Sequence, residues 1–120
     1  MTDLHYATLG DVCARIKSGE LTSLQLTQTL LSRIAELEPR LHAYAMVLAD
    51  SALETARQLD QSRVDGAPMG ALHGVPIAVK DLLFTQGLAT ASGTTVMQDF
   101  VPDEDATVVR RLREAGAVLI

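Results

Sequence analysis

The sequence predicts an α/β chain in which N-terminal helices are followed by a β-loop-α-β unit of a larger mixed sheet. Three observations carry that expectation. Apolar residues recur at helical spacing through most of residues 1–65. The run from Val75 to Val79 is short and rich in branched residues, and it breaks that period. After a long aperiodic segment, a further helical stretch leads directly into Ala117-Val118-Leu119-Ile120, which reads as the start of a buried strand.

Taken in order, Thr8 can cap a first helix, with Asp11 placed for a near capping box. Leu9, Val12, Cys13 and Ile16 form its apolar face, and Gly19 ends it. Thr22 with Gln25 is a second capping signature. Leu26, Leu30, Ile34 and Leu37 then mark one face of a longer helix, widened by Leu31, which should stop before Pro39. Residues 41–49 fit either alternation or a helix approach. Asp50 or Ser51 is expected to cap a third helix carrying Ala52, Leu53, Ala56 and Leu59. Asp65-Gly66-Ala67-Pro68 is a turn or linker signal.

Val75 to Val79 suits a strand covered on both faces, with Pro76 marking its entrance because proline has no N–H for a ladder. Residues 81–101 lack a period and are long for an inert connection. Gly87 and Gly93 break this segment, where turn service is the simpler reading over close ligand approach. Asp103 or Asp105 can cap a fourth helix with Ala106, Val109, Leu112 and Ala115 on one face, ended by Gly116. Strand, loop, helix and strand in that order are most economically a right-handed crossover between parallel neighbours.

Composition narrows the functional classes. With 48% hydrophobic and 21% charged residues, the chain suits a globular protein with its own core. Two Phe, two Tyr and no Trp leave almost no stacking platform for bases, and a net charge of −5 adds no attraction for nucleic acid or anionic lipid. Neither nucleic acid nor membrane is therefore expected as a partner. The single cysteine, Cys13, excludes an internal disulfide framework and reads as a small core residue. No apolar run has the length of a membrane span, and Met-Thr-Asp-Leu-His lacks the pattern of a secretory signal, so a cytoplasmic location is expected. Because the last tetrapeptide begins a buried strand without a cap, the chain is expected to be the front portion of a larger protein. The alternative is a small domain ending on an inner strand.

Lys80, one of only two lysines, stands where the Val75–Val79 run meets the aperiodic segment. Side chains at a strand outlet can be held by a sheet while staying open to a ligand. Such a lysine can bind a carboxylate or phosphate, or, when desolvated, act as a base or amine nucleophile. It can also be merely solvated, or paired with Asp81, although adjacent strand side chains point to opposite faces. Lys17 falls on the polar side of the first helix. Dinucleotide and Walker fingerprints are missing, and His5, His42 and His73 have no metal-ligand spacing, so no cofactor or metal is expected. Asp103-Glu104-Asp105 is explained by capping and solvation, and Arg110, Arg111 and Arg113 by a charged helix surface.

Gly74-Val75-Pro76-Ile77-Ala78-Val79-Lys80-Asp81, followed by Thr85-Gln86-Gly87-Leu88, resembles the front of the amidase signature family. Asp105 to Ala117 strengthens the resemblance, in the family's order and at its approximate spacing. The resemblance implies a large α/β fold with a Ser–cis-Ser–Lys triad, in which Lys80 matches the lysine. Residues 1–120 would then be the N-terminal portion of one amidase-signature domain, with a helical region over 1–65 and the first sheet and catalytic-lysine region over 72–120. The family's two serines lie beyond Ile120, and Ser92 matches neither, so the chain alone is expected to be inactive.

By the resemblance, the full-length parent hydrolyses a small-molecule carboxamide through an acyl-enzyme and releases ammonia or an amine. A glutamine-dependent amidotransferase subunit, working with partner subunits, is the enzymatic alternative. An anion-binding module without chemistry is the other. Many relatives have Pro at the Ala89 position and Ser at Thr94, which puts the geometry of the substrate loop and the subfamily in question. Leu82 stands where transamidosome-type subunits often have Asn, and this leans towards a stand-alone amidase or a small-amide hydrolase.

Overall fold

The computed structural model describes residues 3–120; Met1 and Thr2, which open the N-terminal reading, lie outside them. A 3-10 turn at Leu4–Tyr6 precedes α1 (Leu9–Ser18), α2 (Ser23–Leu41), α3 (Ala49–Val64), β1 (Pro76–Ile77), α4 (Thr107–Glu114) and β2 (Val118–Leu119).

Local chemistry explains where the first helices begin. The Asp11 N–H donates to Thr8 Oγ1 at 3.2 Å, and the Thr8 hydroxyl donates to the Asp11 carboxylate at 2.8 Å. The near capping box thus closes on the hydroxyl. At α2 the full box forms, with Gln25 N–H to Thr22 Oγ1 at 3.1 Å and Thr22 N–H to Gln25 Oε1 at 3.0 Å. Asp60, near the end of α3, accepts the next two orphan amides, from Ser23 at 2.7 Å and Leu24 at 2.9 Å. A carboxylate suits the positive end of the α2 dipole, and its position shows that α2 and α3 run antiparallel.

Three helix boundaries differ from expectation. The α2 helix continues through Pro39 to Leu41. The missing Pro39 N–H deprives only a carbonyl at exposed Ala35 of its helical donor, and His42 closes the helix in the left-handed region (φ 48°) with its N–H on Glu38 O. The α3 helix begins at Ala49 without a side-chain cap: Ser51 donates its hydroxyl to Leu48 O, while Asp50 lies within the first turn. The α4 helix also lacks a side-chain cap, because Asp105 is engaged elsewhere. Residues 42–48 are irregular, and Gly66 (φ 76°) makes the turn expected after α3.

The strands form a small, open, parallel pair in the register Pro76 with Val118 and Ile77 with Leu119. Flanking bonds run from Val118 N–H to Val75 O at 2.8 Å and from Ile120 N–H to Ile77 O at 3.2 Å. The ladder is therefore shorter than Val75–Val79, and cover on both faces is not seen: Val75 is buried, Ile77 half-buried and Ala78 exposed. Since the Val75 and Ile77 carbonyls both face β2, the nitrogen of Pro76 lies on the opposite edge, where its missing proton costs nothing in this ladder.

The core comprises two aliphatic clusters. Val12, Ile16, Leu21, Leu26 and Val75 form one; Ala52, Ala56, Val118 and Ile120 form the other. Leu30 packs against both, so α2 separates and joins them. Ahead of β1, Leu72 N–H bonds Ala115 O at 2.9 Å and Gly74 N–H bonds Gly116 O at 2.8 Å, seating the segment on the end of α4. No helix among the described residues is long and apolar enough to cross a membrane.

Candidate active site

The last paired residue of β1 is Ile77, so Lys80 stands beyond the ladder. Its carbonyl accepts the N–H of Leu82 at 2.7 Å and of Leu83 at 3.0 Å, which turns the chain sharply just after it. Lys80 is exposed and lines a cleft of about 930 Å³. The cleft is also lined by residues 42–46 and Leu48, by the loop 88–93, and by Leu119 and Ile120.

The pairing of Lys80 with Asp81 that the sequence leaves open does not form among the described residues. Asp81 Oδ1 instead accepts the Ala91 N–H at 2.9 Å. The 42–46 segment of the lining has a similar tie, with Tyr44 N–H donating to Glu38 Oε1 at 2.9 Å. Further along, Asp105 accepts the Gln86 N–H at 2.7 Å and meets Arg113 Nε at 3.0 Å. The ends of the loop are also drawn together by Gly87 N–H on Pro102 O, Thr90 N–H on Phe100 O and Ala106 N–H on Phe84 O. Phe84 and Phe100 pack with ring centroids 5.1 Å apart. The aperiodic segment is consequently a tied loop.

The remaining candidates resolve into structural roles. Gly87 (φ 77°) and Gly93 (φ 67°) are in the left-handed region, and a side chain at either would meet open space. They serve turns. Ser92 (φ 51°) shares the second turn at the cleft rim. His73 is buried with Nε2 at 2.9 Å from Leu59 O, His42 closes α2, and His5 lies near Asp3. Among the described residues no three His, Cys, Asp or Glu side chains gather as a metal site. Arg110 pairs with Glu114 at 2.9 Å, and Arg111 is exposed. Cys13 is half-buried with Sγ at 3.7 Å from Ala71 O, and Lys17 is exposed on α1.

Reasoning from the sequence missed Glu38, Asp60 and the loop tie made by Asp105. Each accepts from a backbone amide at a sequence separation that no helical or strand period marks, and for Asp105 the capping reading competed. The lining from residues 42–46 and Leu48 was equally silent. As assembled, the site offers an exposed lysine on the cleft lining, able to hold an anion as an ammonium or to accept a proton as a free amine.

Comparison with known proteins gives a consistent result. The amidase family profile matches residues 25–120. The protein named as amidase AmiD in Mycobacterium tuberculosis is 49% identical over 112 residues, which is 93% of this chain and 24% of that one. A glutamyl-tRNA(Gln) amidotransferase subunit from Salinispora tropica is 41% identical over 120 residues, covering 100% of this chain and 24% of the relative. Among solved structures, the native peptide amidase of Stenotrophomonas maltophilia superposes with a TM-score of 0.87 at 43% identity, over 96% of this chain and 24% of that one. The chain thus spans about a quarter of the length of the proteins it matches.

Proposed function

The chain belongs to the amidase signature family, and on that premise we propose that the full-length protein hydrolyses a carboxamide with Lys80 as proton relay. Residues 1–120 are the front of a single domain, helical over 1–65 and carrying the catalytic lysine in 72–120, and β1 and β2 belong to a larger mixed sheet. The observation that carries this reading is Lys80 itself, exposed to the cleft while its neighbour Asp81 is engaged by Ala91.

The mechanism follows from what an amine can do in that position. An ammonium cannot accept a proton, so the relay requires Lys80 as the free amine. By family likeness, two serines from the remainder of the chain complete the site. The nucleophilic serine oxygen attacks the amide carbonyl, and its proton passes through the bridging serine to the Lys80 Nζ. Backbone N–H groups stabilise the oxyanion. The ammonium returns the proton to the departing nitrogen, the C–N bond breaks, and water cleaves the acyl-enzyme by the same relay. No cofactor enters this scheme.

The test is the full-length protein against a panel of amides, beside a Lys80→Ala variant of matched fold. Loss of proton relay is expected to lower turnover by about 10²–10⁴-fold. Unchanged turnover in Lys80→Ala rejects the role. A second reading, an amidotransferase component that hydrolyses glutamine and passes ammonia on, is favoured by the 41% identity to the Salinispora protein over all 120 residues. Glutamine-dependent product transfer, seen only with co-purifying partner subunits, would select it.

A further inference from the structure

Resting on the reading of Lys80 as the relay, we infer that Asp81 is its positioning residue, acting through the backbone of Ala91 and not through contact with the amine. The sheet alone does not hold Lys80. The last ladder bond of β1 is at the Ile77 carbonyl, and no backbone bond among the described residues fixes Ala78 or Val79. The next constraints lie after them: the Lys80 carbonyl takes two amides, and the Asp81 carboxylate takes the Ala91 N–H at 2.9 Å.

Ala91 is itself well placed to act as an anchor. It follows Thr90, which is buried, with its N–H on Phe100 O at 2.9 Å and its hydroxyl on Leu88 O at 3.3 Å. The Ala91 carbonyl accepts both the N–H and the hydroxyl of Thr94, at 2.9 and 3.0 Å. The Lys80 backbone is therefore suspended between β2 on one side and the 90–91 corner on the other. Lys80, Asp81, Ala91 and Ser92 all line the same cleft. A charged acceptor makes the stronger kind of hydrogen bond, which suits a single tie across a loop.

The experiment uses the full-length protein and an amide that the wild type cleaves, with rates taken per active site titrated by an acylating inhibitor. Misplacement of a reacting group by about 1 Å costs on the order of 10²-fold, so Asp81→Ala is expected to lower kcat by about that factor with KM little changed. Asp81→Asn keeps an acceptor oxygen and is expected to restore most of kcat. Hydrogen exchange at the Ala91 amide should accelerate in Asp81→Ala and stay slow in Asp81→Asn. A merely structural role would show as fewer titratable sites at normal kcat per site, and that result overturns the inference. So does an Asp81→Asn variant as slow as Asp81→Ala, or Ala91 exchange indifferent to both. If Asp81→Ala does not fold, Asp81→Asn decides alone: near-normal kcat with a protected Ala91 supports the tie, and a slow enzyme overturns it. Lys80→Ala separates the two levels. Full activity in that variant defeats the relay itself, whereas an inactive Lys80→Ala beside normal Asp81 variants defeats only the positioning role.

Discussion

The antiparallel pair α2 and α3 and the loop between β1 and α4 satisfy their backbone amides in different ways. In the helices the bonds repeat four residues along the chain, and the ends are closed by residues such as Thr22 and Gln25, three positions apart. In the loop, isolated turn bonds such as Leu88 N–H to Thr85 O and Thr94 N–H to Ala91 O are joined by ties that span its length. Asp81 reaches Ala91, Asp105 reaches Gln86, and backbone contacts join Gly87 to Pro102 and Thr90 to Phe100. The helices consequently gain their order from a pattern distributed over many residues. The loop depends on a few individual atoms, and losing one should free a local segment while the helices persist.

The largest effect should come from breaking the distributed side. Ile16 is 1% exposed at the centre of the first cluster, so Ile16→Ala is expected to cost about 2–5 kcal/mol and lower the denaturation midpoint as a whole. Asp105→Ala should come next, at about 1.5–3 kcal/mol for a hydrogen bond to a charged group, and should act locally. Amide exchange at Gln86 should quicken while α1 and α2 remain protected, and uniform acceleration across the chain would contradict the contrast between helices and loop. Thr22→Ala should be smallest, about 1 kcal/mol from loss of one cap, with Asp60 still holding Ser23 and Leu24. Its check is a thermal melt beside the double variant with Asp60→Ala, where the loss should exceed the single cap.

The same contrast explains how much could be read in advance. The faces of α1 to α3, the Thr8 and Thr22 caps and the parallel return to β2 were legible because helical period and capping chemistry leave marks within a few residues. Pro39 misled because its rule concerns helix interiors, and this proline falls in a last turn whose affected carbonyl is near water. The strand was overestimated because an apolar run marks what a residue can pair with, not where a partner lies. For the site, the motif around Lys80 was visible, but the cleft was not. Its walls depend on Glu38 meeting Tyr44 and Asp81 meeting Ala91, and no periodic signal encodes either pairing.

Ser23 and Gly74 illustrate a different constraint. The Ser23 hydroxyl donates to Gly74 O at 2.7 Å, Gly74 has φ 76°, and a methyl group there would stand 2.7 Å from Ser23 Cβ. Helix and motif are thus keyed to each other by absence of bulk at one position and a small donor at the other. A hybrid that took its opening helices from one parent and its lysine-bearing half from another would have to inherit this pair together, or find a second mutation that reopens the space.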